Sequence, residues 1–109
     1  VSRESSLERA GQRLLEAEGW EALKVGHEGW PDRLVLMGHG VHAWVEWKAE
    51  DGDLTPAQRR RIPRLRANGE LVVVADRLEG LVDSLRRRKA MTLGGRTVAE
   101  EKFNTREVR

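Results

Sequence analysis

The sequence predicts an α/β domain, a small mixed sheet flanked by helices in the order α-β-β-β-α-β-α. Three observations predict it. Apolar residues recur at helical spacing near both ends of residues 1–88. Short apolar runs, better suited to strands than to helices, lie between them. Gly38-His39-Gly40 separates two such runs in the manner of a hairpin turn. The 109 residues suit one domain, read as residues 1–88, followed by a basic C-terminal tail or arm over 89–109.

The first helix is expected from about Ser5 to Glu18, with Leu7, Ala10, Leu14 and Ala17 as its core stripe. Gly19 ends it, because glycine is the common residue just past a helix. A short strand near Ala22–Val25 precedes a loop, Gly26-His27-Glu28-Gly29-Trp30-Pro31. Leu34–Met37 is a continuous apolar run, read as a buried strand, and Val41–Lys48 is its hairpin partner. Thr55-Pro56-Ala57-Gln58 opens the next helix: threonine caps, proline suits the first helical position, and Gln58 completes a capping box. That helix runs toward Ala67 and stops at Asn68-Gly69, with Pro63 expected to kink or split it. Leu71–Ala75 is a buried strand. Leu78 to about Arg88 is the last helix, with Leu78, Leu81, Val82 and Leu85 inward. Trp44 and Trp47 are expected on opposite faces of their strand.

Composition narrows the function classes. The chain has no cysteine, so disulfides and thiolate zinc sites are excluded. No apolar run approaches the roughly 20 residues of a membrane helix, and Val1–Ser5 holds no signal-peptide core. These features point to a soluble, cytoplasmic protein with no membrane partner. His27, His39 and His42 lack a tight ligand spacing. Net charge is only +2 but is unevenly spread. Residues 1–54 carry 6 Lys/Arg against 11 Asp/Glu, or −5, and residues 55–109 carry 14 against 7, or +7. Basic stripes are the electrostatic footprint of polyanion binding, and a solvated, charge-mixed surface accounts for the same residues.

The hairpin turn sets the pairing. If Met37 faces Val41, then Leu36 faces His42, Val35 faces Ala43, Leu34 faces Trp44 and Asp32 faces Glu46. Glu46 and Lys48 share a face by alternation. Two opposed carboxylates repel, and a divalent cation such as Mg²⁺ or Mn²⁺ offsets that repulsion through carboxylate oxygens. A surface salt bridge from Lys48 to one acid explains the same charges on spacing alone. Glu4, at the edge of the first helix's inner stripe, is the remote acid that reaches such a site, and Glu8 is its rival.

Trp30-Pro31-Asp32, a hairpin turn, then Glu46-Trp47-Lys48 resembles the Asp…(Asp/Glu)-x-Lys signature of the PD-(D/E)XK nuclease superfamily, whose fold is restriction-endonuclease-like. More of the chain is similar to one branch, the stand-alone viral or bacterial type of VRR-NUC domain. The shared features are an acid in the first helix (Glu4), Gly29-Trp30-Pro31-Asp32-Arg33, the Glu-x-Lys strand, Thr55-Pro56-Ala57-Gln58, a basic helix and an apolar strand. The resemblance covers roughly residues 4–86. It implies metal-dependent hydrolysis of DNA phosphodiesters. Glu4, Asp32, Glu46 and the main-chain carbonyl of Trp47 would hold Mg²⁺ or Mn²⁺. Asp32, Glu46, Lys48 and Gln58 would form the catalytic set, with Lys48 on the water or the phosphate. Gln58 keeps two readings, site support and capping box.

Arg59, Arg60, Arg61, Arg64 and Arg66 follow Gln58 with no intervening acid. Arginine forks suit phosphates, so Arg59, Arg60, Arg61 and Arg64, with Arg33 beside Asp32, are the expected nucleic-acid contacts. Arg86–Lys89 suits either a second contact or the helix dipole. Trp30 is the tryptophan expected against substrate or a second protomer. The leading expectation is an endonuclease acting on branched DNA, four-way junctions included, as a homodimer whose two sites cut symmetric strands. Its rivals are a binding module that does not cut and a nuclease subunit that needs a partner such as a helicase.

Overall fold

In the computed structural model, which describes residues 2–94, the elements follow the expected order. They are α1 (Arg3–Ala17), β1 (Glu21–Lys24), β2 (Arg33–Leu36), β3 (His42–Trp47), α2 (Pro56–Ala67), β4 (Val72–Ala75) and α3 (Leu81–Gly94). The four strands form one sheet in the order β1-β2-β3-β4. The first three are antiparallel neighbours, and β4 returns parallel to β3 after α2. Parallel neighbours need such a crossover. The sheet therefore has two covered faces. On one, Leu15 of α1 and Leu81 and Leu85 of α3 pack on Val35, Ala43, Val45 and Trp47. On the other, Ile62 and Leu65 of α2 pack on Val72 and Trp44. Trp44 and Trp47 lie on opposite faces, as their odd spacing requires.

The hairpin register is the expected one. Leu36 pairs with His42, Val35 with Ala43, Leu34 with Trp44 and Arg33 with Val45. The Met37 N–H donates to the Val41 carbonyl at 2.9 Å, and residues 38–40 all take positive φ. Glycine at both ends of that turn accommodates the left-handed backbone without steric cost.

Four expectations need correction. The inner stripe of α1 is Leu7, Gly11 and Leu15, while Leu14 is 39% exposed and Ala17 lies outside. The cause is Trp47, whose indole occupies the slot at Gly11: a Cβ there would lie 2.1 Å from the ring. Pro63 does not split α2, which is one helix from Pro56 to Ala67. Pro63 and Arg59 both lie on its exposed side, so water can take the bond that proline's missing N–H forgoes. The Leu34–Met37 run is buried on one face only: Val35 and Met37 are enclosed, but Leu36 is 38% exposed, because α2 covers β3 and β4 more than β1 and β2. Finally, α3 begins at Leu81, since Gly80 takes φ +81° and leaves Leu78 in the preceding turn. It continues to Gly94, with Leu93 reaching the core, so residues 89–94 are helical. The remainder of the expected tail, residues 95–109, lies outside the described residues. In the basic run at 86–89, Arg86 is paired with Glu18 and so ties α3 to α1.

Candidate active site

The hairpin brings Asp32, just before β2, beside Glu46 on β3. The Asp32 N–H donates to Glu46 Oε1 at 3.1 Å, and Asp32 Oδ2 accepts from the Trp47 N–H at 2.9 Å. These two bonds hold Asp32 beside Glu46 and Trp47, past the last paired residues of the ladder. Glu4 arrives from the first turn of α1, and the carboxylates of Glu4, Asp32 and Glu46 each offer an oxygen within 4.8 Å of the others. Lys48, one residue past the end of β3, sets its Nζ 3.5 Å from Glu46 and 3.7 Å from Glu4.

Glu46 is only 1% exposed. Burial, and then the charge of Asp32, push its pKa up to about 7, against the opposing pull of Lys48 and Gln58. Burial likewise raises Asp32, against the Trp47 N–H that favours its charged form. Three carboxylates facing one ammonium leave negative charge uncompensated. Oxygen donors at this spacing fit a hard divalent cation, which would relieve the repulsion.

Gln58 makes two sets of contacts. Its Oε1 accepts from the Thr55 N–H at 2.9 Å while the Thr55 hydroxyl accepts from the Gln58 N–H, closing the capping box. Its Nε2 donates to Glu46 Oε2 at 2.9 Å. The first turn of α2 is thereby fastened to the acid at the centre of the cluster. Trp47 turns its side chain into the core, where its Nε1 has no hydrogen-bond partner among the described residues. The role expected of Trp47 rests on its main-chain carbonyl alone.

Two expectations resolve differently. Glu8, the rival to Glu4, binds Lys24 at 3.0 Å and Arg33 at 3.1 Å. Burial pushes the Glu8 pKa up, but those two cations outweigh it and hold it below the ordinary carboxylate value. Arg33, expected on nucleic acid, is the other half of this arrangement: it is 14% exposed and also donates to the Ala22 carbonyl. Its guanidinium is committed within the fold. Arg59, Arg60 and Arg64 are exposed on α2, Arg61 lies 4.6 Å over the Trp30 ring, and Arg66 donates to the Val72 carbonyl.

Sequence reasoning missed two features. Loop 26–31 and the start of α2 border an open pocket of about 350 Å³ beside Asp32 and Gln58. The signal was the pair of glycines at 26 and 29, both at positive φ. At the opposite end of β3, Glu70 accepts from Trp44 Nε1 at 2.7 Å and pairs with His42. No local pattern announces a contact between residues 28 apart in the chain.

This fold is that of a small nuclease domain of the restriction-endonuclease-like class. No family model matches the chain. A phage protein named "Putative nuclease p44", from Acyrthosiphon pisum secondary endosymbiont phage 1, is 36% identical over 77 residues, covering 68% of this chain and 83% of that protein. A solved structure described as a VRR_NUC domain superposes with a TM-score of 0.68 at 31% identity, covering 80% of this chain and 97% of that one. The chain belongs to the VRR-NUC family of nuclease domains.

Proposed function

We propose that the protein is a Mg²⁺- or Mn²⁺-dependent DNA endonuclease acting on branched DNA, four-way junctions included, in replication, recombination or repair. The observation that carries this reading is the convergence of Glu4, Asp32 and Glu46 with Lys48 on one side of the sheet. In it, the three carboxylates and the Trp47 carbonyl hold the cation. A cation held there would polarise a phosphoryl oxygen and lower the pKa of a bound water. Lys48 donates from Nζ to the attacking water or to a non-bridging phosphate oxygen, stabilising charge as it develops. Gln58 fixes the Glu46 carboxylate so that its second oxygen points in one direction. Arg59, Arg60, Arg61 and Arg64 hold phosphates, which supplies affinity without sequence reading.

Cleavage of a four-way junction at symmetric strands calls for two sites, so the working unit is a homodimer with two-fold symmetry. A monomeric mass by light scattering at micromolar concentration contradicts that part alone. The test of the activity uses labelled duplex, single strand, flap and four-way junction in EDTA, Mg²⁺ and Mn²⁺, with Lys48→Ala and Glu46→Ala beside the wild type. Metal-dependent cleavage lost in both variants supports the assignment, and the ranking of substrates tests the preference for branches. DNA binding without cleavage of any substrate favours a binding module, and cleavage only on adding a helicase favours a partner-dependent subunit.

A further inference from the structure

We propose that the loop between β1 and β2 forms a receptor for one unpaired nucleotide of the DNA, with Trp30 as its aromatic wall. The inference rests on the nuclease reading above and names the feature of the substrate that the site selects. Residues 26–31 leave β1 and return to β2 across a base closed by the Val25 N–H on the Asp32 carbonyl, at 3.0 Å. Within the loop the Trp30 N–H donates to the His27 carbonyl at 3.1 Å, a tight turn that sets the position of the indole. The pocket of about 350 Å³ lies between this loop and the start of α2, and Lys24, His27, Trp30 and Thr55 line it together with Asp32 and Gln58. It is therefore continuous with the acidic cluster.

The chemistry of the lining suits a single nucleotide. The volume sits at the low end of the roughly 300–1,000 Å³ of small-ligand sites, enough for one nucleoside. The lining offers Trp30 as its aromatic residue, and its lysine, Lys24, is paired with Glu8 at 3.0 Å. A base inside a duplex enters such a pocket only after it is unstacked and unpaired, which carries a free-energy cost. A base at a branch, bulge or flap has already met that cost. The indole is held before DNA arrives: the Trp44 ring lies 5.4 Å away at 44°, and the Arg61 guanidinium 4.6 Å over the ring. A preorganised wall loses little freedom on binding. A second depression of about 110 Å³ shares Glu28 and Gly29 with the first and adds Arg60, Arg61 and Arg64, which suits the phosphate next to the captured nucleotide.

The test compares duplexes that each carry one unpaired nucleotide, with its base present or removed, binding to the full chain in Ca²⁺ by fluorescence anisotropy. The wild type is expected to bind the base-bearing DNA on the order of tenfold more tightly than the abasic one, the scale of one base–aromatic contact. 2-Aminopurine at the unpaired position is expected to be quenched on binding. In Trp30→Leu the preference should fall below about threefold, with Trp30→Phe between. Equal wild-type affinity for base-bearing and abasic DNA overturns the proposal, and that comparison needs no variant to fold. A preference undiminished in folded Trp30→Leu overturns it as well. Cleavage of the same DNAs in Mn²⁺ separates the two readings. Cleavage with no base preference sinks the pocket and keeps the nuclease. A base preference without cleavage supports the pocket and sinks the stand-alone nuclease.

Discussion

Glu46 concentrates the physics of the site in one side chain. With its pKa pushed up to about 7, a proton and the proposed cation would compete for the same oxygens across the neutral range. Metal affinity is therefore expected to fall on acidification, to about a tenth at pH 6 of its value at pH 8, as read by Mn²⁺ titration. For the metal-free protein the sign is opposite. A raised folded-state pKa means that the native state binds the extra proton, so stability rises as pH falls from about 7 toward the ordinary carboxylate value. Glu8 acts in the reverse sense. Its depressed pKa contributes stability above the ordinary value, and that contribution is lost as pH falls below it. Gly11 makes a second argument at this scale. Alanine is the better helix former by about 1 kcal/mol, yet Gly11→Ala is expected to destabilise the protein by about 1–3 kcal/mol in urea unfolding, because its Cβ would enter the Trp47 ring. The sequence did not disclose this slot, since glycine carries no apolar signal and the periodicity of Leu7, Ala10, Leu14 and Ala17 pointed to a neighbouring face.

At the scale of elements, the hairpin and the capping box position the chemistry, and both were legible. A glycine-bracketed turn and the two-residue period of strands carry Asp32 to Glu46 without any long-range information. Thr55-Pro56-Ala57-Gln58 announced the start of α2, but only the fold reveals that the same glutamine reaches Glu46. The two roles are separable. Thr55→Ala removes the hydroxyl cap and is expected to cost about 0.5–2 kcal/mol in thermal or urea unfolding. It should affect cleavage less than Gln58→Ala, which removes the donor to Glu46. Equal loss of activity in the two at matched stability would assign Gln58 to the helix alone. Pro63 and the end of α3 were misread for a common reason: local rules describe the chain, whereas exposure on α2 and the reach of Leu93 to the core are tertiary facts.

Across the whole molecule, the acidic first half supplies every carboxylate of the cluster, and α2 in the basic second half brings arginine to its border. That division was visible as charge, −5 against +7. The commitment of Arg33 to Glu8 was not, because ion pairs between residues 25 apart leave no local trace. The arginines that remain exposed, Arg59, Arg60 and Arg64, define the expected binding behaviour. Replacing all three with glutamine should weaken DNA binding at low salt. It should also lower the slope of log K against log salt by roughly 2–3, at about 0.9 per phosphate contact. An unchanged slope would move the DNA to another face. Among the described residues no helix is long and apolar enough to cross a membrane.

Glu4, Asp32 and Glu46 are proposed to hold the cation on which cleavage depends. The most direct measurement is calorimetric titration of Mn²⁺ at pH 8 into the wild type, Glu46→Gln and Glu8→Gln. Saturable binding to the wild type, abolished in Glu46→Gln and retained in a folded Glu8→Gln, is the predicted result. No binding to the wild type, or binding that survives Glu46→Gln, would contradict it.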